Sequence, residues 1–63
     1  MAYTLKEVRE AKGLSVHQLA KIANISAQQI YNIESGKINS GQIRYETLKK
    51  LALALDRNIE EIF

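Results

Sequence analysis

The sequence predicts an all-α domain built from five short helices, and three observations lead to this fold class. Apolar residues recur at three- and four-residue spacing rather than at alternate positions, which indicates helices instead of strands. Residues that favour helix starts and helix ends divide the chain into segments of helical length. A chain of 63 residues can bury only one core, so we expect a single domain over residues 1–63.

Composition excludes several classes of protein. The chain has no cysteine and a single histidine, so we expect neither disulfides nor a metal site, and no cofactor. Its longest apolar run, residues 51–55, is far shorter than the roughly 20 residues that span a bilayer. The N-terminus carries charges where a signal peptide would be apolar. These features predict a cytoplasmic protein with no membrane partner.

Charge is distributed unevenly along the chain, although the formal net charge is only +2. Residues 12–44 contain four basic side chains and one acidic side chain, which gives +3. Residues 56–63 contain one basic and three acidic side chains, which gives −2. The basic middle segment is typical of a surface that meets a polyanion, and the alternative is an ordinary solvated face.

The first two helices are delimited by capping residues. We expect the first helix to bury Leu5 and Val8 and to end at Gly13, because glycine adopts the left-handed conformation at little cost. Ser15 then begins the second helix, and Gln18 three residues later completes a capping box. The inner stripe of the second helix contains small residues that allow close packing of another helix: Leu19, Ala20 and Ala23.

A turn of about three residues, 24–26, connects the second and third helices. Asn24 favours the left-handed end of one helix, and Ser26 favours the start of the next. Ile30 and Ile33 form the inward face of the third helix, which ends at Gly36. So short a connection makes two helices cross steeply, as they do in a helix-turn-helix.

The last third of the chain begins with a predicted loop, residues 37–44, followed by a fourth helix at about Tyr45–Leu55. The inner side of that helix consists of Leu48, Leu51, Ala52 and Leu55. Asn58 and Glu61 then cap a last helical turn. Its apolar residues can complete the core, contact a second copy of the chain, or do both: Ile59, Ile62 and Phe63.

The outward face of the third helix carries amides where a merely solvated helix would carry Glu, Lys or Arg. A planar amide offers one donor and one acceptor, which match N7 and the N6 amino group of adenine in the major groove. Gln28 and Asn32 are four residues apart and share a face, and Ala27 can contact a thymine methyl. A solvated polar face is the alternative. Tyr31 can donate its hydroxyl to a phosphate or simply cover the flank of the helix.

Residues 14–37, LSVHQLAKIANISAQQIYNIESGK, resemble the helix-turn-helix of the phage repressor and Cro class, the XRE-type family. With Arg9 before this stretch and the last two helices after it, the resemblance covers nearly the whole chain. It implies a compact five-helix, lambda-repressor-like fold whose helices 2 and 3 form the motif. It also implies sequence-specific binding of double-stranded DNA by a transcriptional repressor, with the third helix, about 27–35, in the major groove. Homodimers of this class place two recognition helices about 34 Å apart.

The resemblance assigns roles to individual residues. Ala27, Gln28 and Asn32 occupy the base-facing positions. Arg9 and Glu34 correspond to a structural clamp between helix one and the end of helix three. Contacts to the DNA backbone are expected from the start of helix two, from helix three and from the turn that follows it: Ser15, Val16, His17, Ser26, Gln29, Tyr31, Ser35 and Lys37.

Two departures from the family pattern bear on these contacts. Many members have glutamine where Val16 stands, and valine has no side-chain donor for a phosphate. His17 or backbone N–H groups can take that part. The loop after Gly36 is also longer than usual and lacks the common proline.

Two other interpretations remain open at this point. The same fold can serve as a protein-interaction module, such as an antitoxin or an adaptor, for which DNA is secondary. The chain can also be the DNA-binding part of a longer protein. No catalytic constellation accompanies His17, and the adjacent Glu60 and Glu61 point to different sides of a helix, so we do not expect an enzyme.

Overall fold

The computed structural model describes residues 4–63, and its helix boundaries follow the capping residues of the sequence. Throughout those residues the regular structure is helical, which confirms the all-α fold class. The elements are α1 Leu5–Ala11, α2 Val16–Ala23, α3 Ala27–Glu34, a 3-10 turn Ser40–Gln42, α4 Tyr45–Ala54 and α5 Ile59–Ile62. None of the helices described for residues 4–63 is long and apolar enough to cross a membrane.

Side chains satisfy backbone N–H groups at the starts of the first three helices. The Ser15 hydroxyl accepts from the N–H of Gln18 at 3.1 Å, and the Gln18 side chain accepts from the N–H of Ser15 at 2.8 Å. This confirms the predicted capping box. Thr4 and Glu7 form a second box at α1, in which the Thr4 backbone and hydroxyl donate to the Glu7 carboxylate and lower the pKa of Glu7. Ser26 caps α3 by accepting from the N–H of Gln29 at 3.2 Å.

The turn between α2 and α3 depends on one left-handed residue. Asn24 has φ 58° and ψ 48°, as the sequence predicted. The N–H of Ile25 donates to the carbonyl of Ala20 at 3.0 Å, which closes the end of α2. Ile25 itself is half-buried against the core. Three residues therefore reverse the chain tightly enough for α2 and α3 to pack on each other.

The core is centred on four fully buried side chains: Leu19, Ile30, Leu51 and Leu55. Leu19 lies on α2, Ile30 on α3 and Leu51 on α4, and Leu55 directly follows α4. The helix α2 packs against both α3 and α4. The small residues Ala20 and Ala23 are buried on α2, as expected for a helix that packs closely on its neighbours. Leu5 and Val8 bring α1 into the same cluster.

The last third of the chain differs from the prediction in detail. The segment 37–44 contains a single 3-10 turn, and Ile43 after it is buried, so the segment is not a fully exposed loop. Ile62 is also buried, with only 5% of its surface exposed, whereas Ile59 and Phe63 are half-buried against the core. The tail thus completes the core, which was one of its two predicted roles.

The backbone conformation at Asn24 gives a stability test of the turn. We expect Asn24→Ala to lower the free energy of unfolding by about 1–2 kcal/mol, because a Cβ without a compensating polar group is disfavoured in the left-handed region. Asn24→Gly should be more stable than Asn24→Ala by about 1 kcal/mol. Urea unfolding followed by circular dichroism measures both values, and equal stability of the two variants would contradict the role assigned to the turn.

Candidate nucleic-acid interface

The buried side of α3 determines which of its residues face outward. Ile30 is fully buried and Ile33 packs against the core, so the opposite side of the helix is turned to solvent. Gln28 is exposed on that side, and Asn32, one turn later, is half-buried. Tyr31 is 47% exposed on the flank. The two amides singled out from the sequence therefore lie together on the outer surface of the helix.

Gln28 and Asn32 are joined by a hydrogen bond. The Nε2 of Gln28 donates to the Oδ1 of Asn32 at 3.0 Å. This contact has the i, i+4 spacing that brings side chains together on a helix. The pair presents an edge with free donors and a free acceptor, as is needed to contact base edges in a groove.

Ala27 and Gln29 are less exposed than the DNA contacts predicted for them require. Ala27, the first residue of α3, is half-buried and packs against the core, which turns part of its methyl group away from the outer face. Gln29 is half-buried as well. A thymine contact by Ala27 and a phosphate contact by Gln29 therefore remain predictions with a smaller available surface.

His17 of α2 and Tyr31 of α3 meet edge to face. Their ring centroids are 6.3 Å apart and the ring planes are inclined by 82°. Both side chains are exposed, so the contact lies on the surface where the start of α2 approaches α3. His17 and Tyr31 were each predicted to contact the DNA backbone. The structure places the two rings in contact, so each ring restricts the orientation of the other.

The start of α2 offers backbone donors rather than a side chain at residue 16. Val16 is buried with 8% of its surface exposed, so its side chain belongs to the core and only its N–H can meet a phosphate. The N–H groups of Val16 and His17 belong to the first turn, where no acceptor exists within the helix. The Ser15 oxygen accepts the capping hydrogen bond, which leaves its hydroxyl hydrogen available for an anion.

The end of α3 turns sharply at Gly36, which has φ 80°. The Ser35 hydroxyl donates to the backbone carbonyl of Asn32 at 3.2 Å, and its oxygen accepts from the N–H of Lys37 at 3.4 Å. Ser35 therefore stabilises the turn, whereas the exposed Lys37 keeps its ammonium group available. A side chain at Gly36 would be strained by the positive φ even though the space around it is open.

The rear of α3 is fixed by the predicted clamp. Arg9 donates from Nε to Glu34 Oε2 at 2.7 Å and from its Nη2 to Oε1 at 3.1 Å. Its Nη1 donates to the carbonyl of Leu14 at 2.7 Å. The side chains of Arg9 and Glu34 are only 10% and 9% exposed. The hydrogen bonds to Glu34 raise the pKa of Arg9, so the guanidinium stays charged and joins α1, the following loop and α3.

Ion pairing leaves the basic side chains of the middle segment free. The clamp neutralises Glu34, the one acidic residue between residues 12 and 44. The other ion pair found among residues 4–63, Arg57 with Glu61, lies in the tail. Among the described residues, four cations of the middle segment have no ionic partner and contribute their full charge to its electrostatic potential: Lys12, Lys21, Lys37 and Arg44.

Some features of this surface were not anticipated from the sequence. The carbonyl of Leu14 as third partner of Arg9, the amide pair and the contact of His17 with Tyr31 depend on side-chain conformation, which no sequence pattern encodes. The cap of α1 could have been found, because Thr4 and Glu7 have the spacing of a capping box. The burial of Ile43 had one indication in the sequence, namely that Ile43 is the one strongly apolar residue between residues 39 and 44.

Comparisons with known proteins agree on one family. The model of the helix-turn-helix family matches residues 5–62. The crystal structure of the restriction-modification controller protein C.AhdI from Aeromonas hydrophila is similar with a TM-score of 0.83 and 36% identity, over 94% of this chain and 85% of that one.

Two relatives are similar in sequence. A Mycobacterium tuberculosis protein named as an antitoxin, HigA2, is 36% identical over 59 residues, which are 94% of this chain and 56% of that protein. The HTH-type transcriptional regulator RghRB of Bacillus subtilis is 45% identical over 51 residues, 81% of this chain and 35% of that protein. The chain thus spans about half and about a third of the length of these relatives.

The buried ion pair behind α3 gives a second stability test. We expect Glu34→Ala to lower the free energy of unfolding by about 3–5 kcal/mol, because it leaves the Arg9 guanidinium buried without its anion. Gln28→Ala is the matched control on the exposed side of the same helix and should change stability by at most about 0.5 kcal/mol. Chemical denaturation of both variants measures the difference, and similar midpoints would show that the pair does not hold the helix.

Proposed function

Because the chain belongs to the helix-turn-helix family, we propose that it binds double-stranded DNA in a sequence-specific manner and regulates transcription as a cytoplasmic, repressor-type protein. One observation carries the proposal. Two hydrogen-bonded amides, Gln28 and Asn32, lie on the outer face of a helix whose inner face is locked by Ile30 and by the ion pair of Glu34. The chemistry offered by this surface is recognition rather than bond making, so the proposal contains no catalytic step.

Base discrimination in this proposal comes from the amides. With α3 in the major groove, Gln28 and Asn32 approach base edges, and each well-formed amide contact discriminates against a wrong base by about 1–3 kcal/mol. Ala27 adds a contact to a thymine methyl with the part of its side chain that remains exposed. The rigid attachment of α3 matters because these contacts require donors and acceptors at fixed positions.

Affinity for the DNA backbone comes from groups on both sides of α3. The first-turn N–H groups of α2, the hydroxyl of Ser15, and the pair of His17 and Tyr31 lie on one side, and the ammonium of Lys37 lies beyond the other end. Such contacts position the protein without reading sequence. Their number is small, so we expect weak binding by a single copy and a shallow dependence on salt.

A homodimer would compensate for the weak contacts of one copy. Two recognition helices on one face of the duplex are spaced by about one helical turn, roughly 34 Å, and such a dimer reads an inverted repeat. Ile59 and Phe63 are half-buried and remain available for a second copy, whereas Ile62 is committed to the core. The acidic residues of the tail suit a surface that faces away from DNA.

A second candidate function is neutralisation of a protein partner, as in an antitoxin. It is supported by the M. tuberculosis relative, which matches 94% of this chain and is named as an antitoxin. The two functions differ in what the amide face does. Replacement of Gln28 and Asn32 by alanine should abolish selective DNA binding, and it should leave a protein complex intact if the partner binds elsewhere.

Selection of duplexes from a random pool, with sequencing of the bound fraction, tests the DNA proposal. We expect the wild-type protein to enrich an inverted repeat, and Gln28→Ala and Asn32→Ala each to lose preference at particular base pairs. Asn58→Ala is the matched control, because it removes an exposed amide at the start of α5, outside the surface assigned to DNA. Folded wild-type protein that enriches nothing above a non-binding control would overturn the proposal.

The charge of Lys37 gives a separate test of backbone contact. Lys37→Ala should weaken binding to all duplexes alike and reduce the slope of log Kd against log salt by about 0.9, the release of one phosphate's counterion. Lys50→Ala removes the same charge from α4, where Lys50 lines a groove with Ile22 and Leu53. An equal change of slope in both variants would show a general effect of net charge and no local contact.

A further inference from the structure

His17 is the single histidine of the chain, and its side chain is exposed where α2 begins and meets α3. We propose that His17 is a proton-linked contact to the DNA backbone, in which the protonated imidazole binds a phosphate and the ring of Tyr31 positions it. The inference rests on the proposed DNA-binding function. It goes further because it assigns a charge state to this contact, and with it a dependence of DNA affinity on pH.

The contact with Tyr31 restricts the position of the imidazole. The two ring centroids are 6.3 Å apart and the ring planes are inclined by 82°. Tyr31 belongs to α3, which is fixed by the fully buried Ile30 and by the ion pair of Glu34. An exposed side chain normally exchanges among several rotamers, and a ring packed against a fixed helix loses part of that freedom. Tyr31 is therefore a positioning residue for His17.

The charged side chains that adjoin the contact of His17 with Tyr31 come from three helices: Lys21 of α2, Lys6 and Arg9 of α1, and Glu34 of α3. Lys21 follows His17 by four residues, the spacing at which side chains of a helix are neighbours. The other three line a groove beside Tyr31, where Arg9 engages the Glu34 carboxylate at 2.7 Å. Among the described residues that line this groove, no carboxylate is therefore free to pair with an imidazolium.

These surroundings make protonation of His17 more favourable in a DNA complex than in the free protein. The first turn of α2 is the positive end of the helix dipole, and Lys21 adds a like charge. Both disfavour a cation at residue 17. A phosphate at this place reverses the balance, because an N–H···O bond between charged groups is roughly twice as strong as a neutral one. Imidazole changes its charge between about pH 5 and pH 8, so DNA binding takes up a proton in that range.

Affinity for DNA should therefore rise as the pH falls. The complex holds the proton more tightly than the free protein does, so the additional affinity is present at low pH and is lost as the imidazole of the complex deprotonates. Per bound copy, we expect Kd to be about five- to tenfold lower at about pH 5.5 than at about pH 8, the difference between a charged and a neutral hydrogen bond. The slope of log Kd against log salt should be larger by about 0.9 at the lower pH, because one more counterion is released.

Fluorescence anisotropy with a labelled duplex of mixed sequence measures Kd at both pH values, because a phosphate contact does not depend on sequence. His17→Gln keeps an N–H donor that cannot be protonated, and it should bind with the same Kd at both pH values. The α-amino group of the chain also titrates in this range, and the variant retains it. An equal pH dependence in wild type and in His17→Gln would overturn the inference.

Two substitutions of Tyr31 test its positioning role, with the ratio of Kd values at the two pH values as the readout. Tyr31→Phe keeps the ring and removes the hydroxyl, and it should retain the ratio of wild type. Tyr31→Leu removes the ring, and it should bring the ratio toward unity because the imidazole is no longer held. Tyr45→Leu is the matched control, since it removes a tyrosine that is 68% exposed on α4. A full ratio in Tyr31→Leu would show that Tyr31 does not position His17.

The outcomes separate this inference from the proposed function. Wild-type protein that binds the duplex with the same Kd at both pH values would overturn the inference and leave the DNA-binding proposal standing. Folded wild-type protein that binds no duplex at either pH would overturn both. Circular dichroism of each variant at both pH values shows whether the fold is retained, so that a loss of binding is not mistaken for unfolding.

Discussion

The ion pair between Arg9 and Glu34 is the constraint on which the rest of the surface depends. Ile30 is the one fully buried residue of α3, and Ala27 and Ile33 pack partly against the core, so the ion pair adds a second attachment at the end of the helix. A domain of 63 residues is expected to have a free energy of unfolding of about 3–9 kcal/mol. Loss of the Glu34 carboxylate would leave the Arg9 guanidinium buried without its anion, and the resulting destabilisation would be a large part of that free energy. Arg9 therefore makes the orientation of α3 a condition of folding.

The same ion pair also explains how the middle segment of a nearly neutral chain keeps its positive charge. Glu34 is the one acidic residue in the middle segment, and its charge is turned inward to a partner from α1. The remaining acidic residues lie before residue 12 or after residue 44. The clamp thus has two effects, since it holds the helix and pairs the one acidic side chain of the middle segment.

Local features of the fold could be predicted from the sequence, and contacts between distant side chains could not. Ser15, Asn24 and Gly36 act on their own backbone, so the helix ends were read correctly from residue type. The Arg9–Glu34 pair was predicted through a family resemblance, yet its third partner, the Leu14 carbonyl, depends on the path of the loop. Val16 shows most clearly what the sequence alone cannot predict. The sequence shows that Val16 has no side-chain donor, but only the packing of α2 shows that this side chain is buried in the core.

For the proposed DNA-binding function, a small number of phosphate contacts makes direct readout more important. Non-specific affinity rises with the number of phosphates neutralised, and four unpaired cations in the middle segment set a low limit. In that proposal, the ratio of specific to non-specific binding depends on hydrogen bonds to bases and on the proposed dimer. Amides that are oriented before binding lose less conformational freedom when the complex forms, which favours the correct sequence without strengthening the contacts that all sequences share. Fixing α3 with one buried ion pair, and its amides with one hydrogen bond, therefore serves selectivity at a low net charge.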